Sequence, residues 1–312
     1  MGRSLSFPAG EVRTGFVIAA ALTAVAQSAV IGSGAGSGWP ALALTAVCAG
    51  LVYLLFVNLT KRKLGAPLMA AVLFGAHPSL APTLTEIALW RSPAGTALAL
   101  LAGILLARTP LQPKLLWPSL AAFAASLPLA PGGAAIPFIV AAAIVAYHGL
   151  DPARLATKRL APRFLVFLLP LAAWIAGTFI DPDPARPQFG AVPAFAIHAV
   201  LPFGASFGAS SVAGAVIAAA CALFGIVRLR ATPKAAWPLL AFGVSLAAAA
   251  LIPDAWNRCG AFTAALAFAA LLAAEGIEEI FYRFGAAVAM PLLVIVYAAF
   301  AVQSHASAIA AR

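Results

Sequence analysis

Charge is what this sequence has least of. Only 9 % of its 312 residues are Asp, Glu, Lys or Arg, and only nine are acidic, against 63 % hydrophobic residues. A soluble domain carries about 25 % charged residues and covers its surface with them; this chain has too few to do so. Cysteine is scarce as well. Cys48, Cys221 and Cys259 have neither the even number nor the spacing of a disulfide framework or a metal site. Cys48 and Cys221 therefore read as small buried residues, and Cys259 as a residue near a helix end. Long hydrophilic stretches are missing too: the longest polar-leaning segments, 151–163 and 181–194, are too short to fold a separate soluble domain. The chain is read as a single integral membrane domain over residues 1–312. No basic run is long enough to track a phosphate backbone, which sets nucleic acid aside as a partner.

What is present is a succession of apolar runs. A bilayer core needs about 20 apolar residues per helix, and runs near that length recur from Phe16 to Val302. We expect an all-α polytopic fold with about eleven spans, at 16–32, 40–58, 65–80, 93–107, 115–130, 133–149, 164–180, 211–227, 236–252, 260–274 and 284–302. The apolar segment 189–209 holds Pro193, Pro202 and several glycines. It favours a re-entrant or surface-lying piece of an external loop over 181–209, because backbone groups freed from a helix must be satisfied by protein or water. No internal repeat of the transporter kind is visible. The first run, with Arg3 and Arg13 before it and Ala24-Val25-Ala26-Gln27 inside it, shares features with a signal peptide. We read it as a retained helix.

The basic residues give a direction. Arg3, Arg13, Lys61-Arg62-Lys63, Arg108, Lys114, those from Arg154 to Arg163 and from Arg228 to Lys234, and Arg283 all fall on one side of this scheme. Only Arg91, Arg186, Arg258 and Arg312 fall opposite. The crowded side is cytoplasmic by the positive-inside rule, so the N-terminus is placed inside and the C-terminus outside. The net charge of +10 is then topogenic. An alanine-rich chain that uses arginine this freely has the style of a high-GC bacterium, which points to the inner membrane.

Few acids means that each can be weighed. Glu86, Asp181, Asp183 and Asp254 fall on the non-cytoplasmic side with His77, Trp90, Arg91, Trp256 and Arg258. Phe74-Gly75-Ala76-His77-Pro78 ends one span, and Thr83 to Arg91 leads into the next. His77 or Glu86 is placed to handle a proton there, with Arg91 on a phosphate or paired with Glu86. The other reading is a helix-end cluster that caps backbone groups, with Trp90 in an interfacial belt. Asp254-Ala255-Trp256-Asn257-Arg258 repeats the pattern on the same face: Arg258 flanks an anionic headgroup with Arg91, or pairs with Asp254 four residues away. Asp181-Pro182-Asp183-Pro184 reads as a stiff loop whose two carboxylates fall far short of a coordination shell, so no metal is expected. Glu275, Glu278 and Glu279 read as a solvated or partner-docking helix extension. His148 and His198 read as packed side chains, and His305 as part of the tail.

The residues from Trp39 to Arg108 carry a family likeness. A basic turn at Lys61-Arg62-Lys63, a span ending in His77-Pro78, then Glu86 and Trp90-Arg91, together resemble the multi-spanning GT-C glycosyltransferases. The likeness is strongest to their tetratricopeptide-containing O-mannosyltransferase branch, in which a helix ending in His-Pro is followed by Glu, Trp and Arg. Ile252-Pro253-Asp254-Ala255-Trp256-Asn257-Arg258 falls where that branch ends a span in Pro and soon presents an Arg. The resemblance implies a helical membrane fold, a polyprenyl-phosphate-linked sugar donor and a reaction at the non-cytoplasmic face. It makes Glu86 the leading acidic candidate and puts Arg91 or Arg258 on the lipid phosphate. Joined with the residue reading above, the expected site is Glu86 and His77 for catalysis and Arg91, Arg258, Trp90 and Asp254 for lipid phosphate or substrate. This sequence departs from the pattern in its first external loop, Gly32 to Trp39, which has no Asp or Glu where those enzymes carry a catalytic acid. The expected function is accordingly a non-catalytic subunit or docking partner of a larger membrane complex on a GT-C-like scaffold, with lipids and other integral membrane proteins as partners and no cofactor. The alternatives are an active transferase with the polyprenyl-phosphate sugar as donor, and a transporter, which would call for ionisable groups at mid-span.

Overall fold

Apolar runs rich in Ala and Leu have one local way to satisfy their backbone hydrogen bonds, and every regular element among the described residues is helical. The computed structural model describes residues 9–32, 38–60, 65–80, 84, 91–109, 112–148, 161–179, 237–250 and 263–310. Ten α-helices lie within them: α1 Ala9–Gly32, α2 Trp39–Thr60, α3 Ala66–Ala76, α4 Arg91–Arg108, α5 Leu116–Ser126, α6 Ile136–His148, α7 Ala161–Phe179, α8 Trp237–Ala250, α9 Thr263–Phe284 and α10 Ala286–Ala310. Short 3₁₀ turns at Pro78–Leu80, Pro113–Leu115 and Pro131–Ala135 lie between some of them. Proline marks most of the starts: Pro40, Pro67, Pro93, Pro118, Pro137, Pro162 and Pro238 each sit in the first turn of a helix. A proline there gives up only an N–H that has no helical partner.

The directions of the helices follow from residue pairs. A Cβ at Gly15 of α1 would strike the Tyr53 ring of α2, and one at Gly50 of α2 would strike Phe16, so these two run antiparallel. Cys48 Sγ donates to the Pro93 carbonyl at 3.2 Å, and Arg108 Nε donates to Asn58 Oδ1 at 3.2 Å, so α4 runs parallel to α2. Ser119 Oγ donates to Ala102 O at 2.7 Å while Gly95 abuts Ala130, which turns α5 back along α4. α10 runs with α1, since Tyr297 OH donates to Leu22 O at 2.7 Å and Ser304 lies beside Gln27. At α9, the Phe268 ring packs at a tilt against Phe56 of α2 with centroids 5.7 Å apart, and edge-to-face with Trp237 of α8 at 6.2 Å.

Two described helices are long and apolar enough to cross a membrane, α2 over 22 residues and α10 over the 20 from Ala286 to His305. They are covered very differently. About 61 % of the apolar stretch of α2 is buried, as in a bundle centre, against 22 % for α10. Each of the ten helices overlaps one of the expected runs at 16–32, 40–58, 65–80, 93–107, 115–130, 133–149, 164–180, 236–252, 260–274 and 284–302. Only α2 and α10 among them have the length and apolarity of a span, and the segments 189–209 and 211–227 lie outside the described residues.

Three expectations are corrected. α9 continues to Phe284, well past 274, and α10 follows after a single residue. That residue is Gly285, at φ 82°, whose N–H bonds Phe281 O at 2.9 Å while its carbonyl accepts from Ala289 N at 3.2 Å. The left-handed conformation it needs is open to glycine at little cost. Glu275 and Glu278 are buried rather than solvated, and Glu278 closes on Gly65, the residue that opens α3 at φ 78°. Only Glu279 behaves as expected of the surface, pairing with Arg283 at 2.7 Å. His305 belongs to α10, not to a tail.

Candidate functional site

The site is best built from the end of α3. Pro78 pushes the residue before it out of the helical region, and His77 accordingly sits at φ −63°, ψ 128°, ending the helix with its N–H on Phe74 O at 3.1 Å. A helix that stops leaves its last carbonyls without partners, and inside a bundle other side chains must supply them. Gln27 of α1 does most of this. Its Nε2 donates to Gly75 O at 3.0 Å and to His77 O at 3.4 Å, and lies 3.4 Å from Ser304 Oγ. Ser304 of α10 completes the cap by donating to Ala76 O at 3.2 Å. Three helices far apart in sequence thus meet on one helix end.

His77 is enclosed in this junction, 3 % exposed, with the edge of its ring against Phe300 at 5.2 Å and 74°. The approach of α1 to α3 depends on Gly75, where an added Cβ would fall on Thr23 Oγ1. Thr23 is itself held by a hydrogen bond to Ala19 O at 2.8 Å. One buried atom of the junction, Gln27 Oε1, has no hydrogen-bond partner among the described residues, and on the residue after Ser304 the same holds for His305 Nδ1. The described residues named in this junction include no Asp, Glu, Lys or Arg, and backbone carbonyls supply most of its acceptors. It suits hydrogen bonding to a donor, not nucleophilic attack.

Of the residues singled out from the sequence, the structure places His77 inside this junction and leaves Arg91 exposed at the head of α4. Glu86, Trp90, Asp254 and Arg258 lie outside the described residues, as do Cys221, Cys259, His198 and the two aspartates at 181 and 183. No group of three His, Cys, Asp or Glu that could hold a metal occurs among the described residues.

No family model, curated protein or solved structure matches this chain.

Sequence reasoning missed Gln27, Ser304, His305 and Tyr297. The signal for the first was a lone amide in an otherwise apolar helix, which costs free energy in an apolar setting unless it is bonded. His305 was expected in a tail because the last apolar run ends at Val302. It lies instead in the polar end of α10, beside Gln303 and Ser304, which are both buried.

Proposed function

We propose that the chain is a multi-pass integral protein of a bacterial inner membrane, built on a GT-C-like scaffold and serving as a non-catalytic subunit of a larger membrane complex. The observation that carries the membrane part is α10. A core helix of a soluble protein can be as apolar as this one, but it is covered; α10 instead leaves Val288, Met290, Val294, Ile295 and Val302 all more than 40 % exposed. Half-exposed side chains of this size forgo roughly 1 kcal/mol each in water, so this one helix would cost about 5 kcal/mol, comparable to the whole stability of a small soluble domain. Leu165, Leu169, Leu240 and Val17 on other helices add to it. In lipid the same faces cost nothing.

The non-catalytic part rests on two features. His77, one of the two candidate catalytic groups, is sealed behind Phe300 and surrounded by caps, and the first connection, Gly32 to Trp39, has no carboxylate. One feature favours the runner-up, a transferase acting on a polyprenyl-phosphate-linked sugar: Arg91 is exposed at a helix start, open to an anionic headgroup. Two measurements test the proposal. A nitroxide at Val294 should show oxygen access exceeding that of a water-soluble nickel chelate, and the reverse ratio refutes membrane burial. Native mass spectrometry of gently extracted protein should show a stoichiometric protein partner that Glu86→Gln leaves in place. A polyprenyl-phosphate-sugar adduct on the isolated chain, with transfer abolished by Glu86→Gln, would replace the subunit reading with the transferase.

A further inference from the structure

The turn from α9 into α10 stands out from the bundle as an elbow. From Phe281 to Pro291 every residue except Gly285 and Ala289 is exposed. Most of that surface is apolar: Phe281, Tyr282, Phe284, Val288 and Met290 are each more than 40 % exposed. Large apolar side chains left open side by side mark a contact surface. The one charge in the elbow is Arg283, whose Nε donates to Glu279 at 2.7 Å. No further bond of Arg283 occurs among the described residues, which leaves four of the five guanidinium N–H donors available.

What covers the elbow can be read along α10. The residues from Ala286 to Val302 include no charged or amide side chain, and the Tyr297 hydroxyl among them is bonded to Leu22 O. Arg283 bounds this stretch at one end and Gln303 at the other. From Gly285 to Gln303 the helix rises about 27 Å at 1.5 Å per residue, close to the roughly 30 Å of bilayer hydrocarbon. The elbow therefore falls where hydrocarbon gives way to headgroups. A second helix marks the same level. α10 and α1 begin at the end of the bundle where α2 and α4 finish, and α5 starts back from that end with Trp117 69 % exposed and Lys114 exposed three residues before it. Open rings and cations at one level on separate helices are the make-up of a membrane–water interface, whereas a protein-docking patch has no need to recur on both α5 and α9.

We infer that the α9–α10 elbow is a phospholipid-binding surface in the headgroup layer of one leaflet, where Arg283 meets lipid phosphate and Phe281, Tyr282 and Phe284 lie against the upper acyl chains. The planar fork of an arginine matches phosphate oxygens, and its long apolar stem carries the charge outward from the edge of the hydrocarbon. Glu279 holds the guanidinium through Nε and leaves the terminal amino groups for the lipid. The inference rests on the membrane reading proposed above.

The test uses the full chain in vesicles of phosphatidylglycerol and phosphatidylcholine, with a nitroxide at Phe284→Cys or Val294→Cys on a Cys221→Ala, Cys259→Ala background. At 294 oxygen should outweigh the water-soluble nickel chelate, and at 284 the two should act comparably, as they do among headgroups. Nickel dominance at 294 overturns the membrane reading and this inference with it. With 294 in lipid, three results at 284 overturn this inference alone: an oxygen excess equal to that at 294, nickel access as in bulk water, or exclusion of both reagents by covering protein. Lipid retention tests Arg283 separately. Native mass spectrometry should show bound phosphatidylglycerol that falls at least about tenfold in Arg283→Gln, the factor carried by one hydrogen bond to a charged group, and returns in part in Arg283→Lys. Undiminished lipid on a folded Arg283→Gln overturns the phosphate contact, and an adduct displaced by inorganic phosphate alone replaces the lipid site with a free-anion site.

Discussion

Replacing Gly75 by Ala puts the packing of α1 on α3 to a quantitative test. Alanine is the better helix former by about 1 kcal/mol, so in open space the change would stabilise α3. The space is not open. The new Cβ would fall on Thr23 Oγ1 and within 2.8 Å and 2.9 Å of Thr23 Cβ and Cγ2. Thr23 cannot yield cheaply, being β-branched, fully buried and hydrogen-bonded to Ala19 O. Overpacking a rigid core costs about 1–3 kcal/mol, and a contact this close belongs at the top of that range, so the net loss should be about 2 kcal/mol after the propensity gain. α1 must move outward, which also lengthens the Gln27 bond to Gly75 O one turn further on. Thr23→Ala removes two of the three offending atoms. The double variant should accordingly recover about 1–2 kcal/mol relative to the sum of the singles, a coupling expected only of residues in contact. The assay is reversible unfolding in mixed micelles on titration with SDS, followed by helicity. Strict additivity, or a Gly75→Ala protein more stable than wild type, would refute the packing described for this interface.

Other changes separate strong contacts from weak ones. Phe268→Ala removes a buried ring packed against both Phe56 and Trp237, and should cost about 3–5 kcal/mol in the same titration. Tyr297→Phe deletes a hydroxyl that donates to Leu22 O at 2.7 Å, and should cost about 1 kcal/mol. Arg283→Gln breaks an ion pair whose arginine side chain is 53 % exposed; such pairs contribute less than about 1 kcal/mol, so the unfolding midpoint should barely move. Cys48 is buried on the Pro93 carbonyl, and in a Cys221→Ala, Cys259→Ala background it should resist maleimide until the protein unfolds.

The helices were legible because their signals are local. Apolar run length and a proline in the first turn placed α2, α4, α5, α6 and α8 within a few residues, and the Pro after His77 foretold where α3 ends. Where α9 ends was not legible. Glu275 and Glu278 read as solvated because isolated carboxylates normally are, and only the fold reveals that α9 turns them inward, bringing Glu278 to Gly65 at the start of α3. The junction was hidden for a related reason. Gln27 and Ser304 meet across 277 positions of sequence, and neither carries a pattern that announces the other. His77 could be singled out by its neighbours in the chain; its enclosure by Phe300 could not.

The joint at Gly285 makes α10 a lever with few places to bend. α9 is seated against α3 and α8 and ends one residue before α10 begins, so no loop absorbs motion between them. Beyond the glycine, the weak point along α10 is Pro291, where one backbone hydrogen bond is missing. From Pro291 to Ser304 the helix runs about 20 Å at 1.5 Å per residue. A change of only about ten degrees at that proline would therefore sweep Ser304 through roughly 3 Å, more than a hydrogen bond can stretch. A disturbance near the foot of α10, at the end far from Gln27, would uncap α3 at the other.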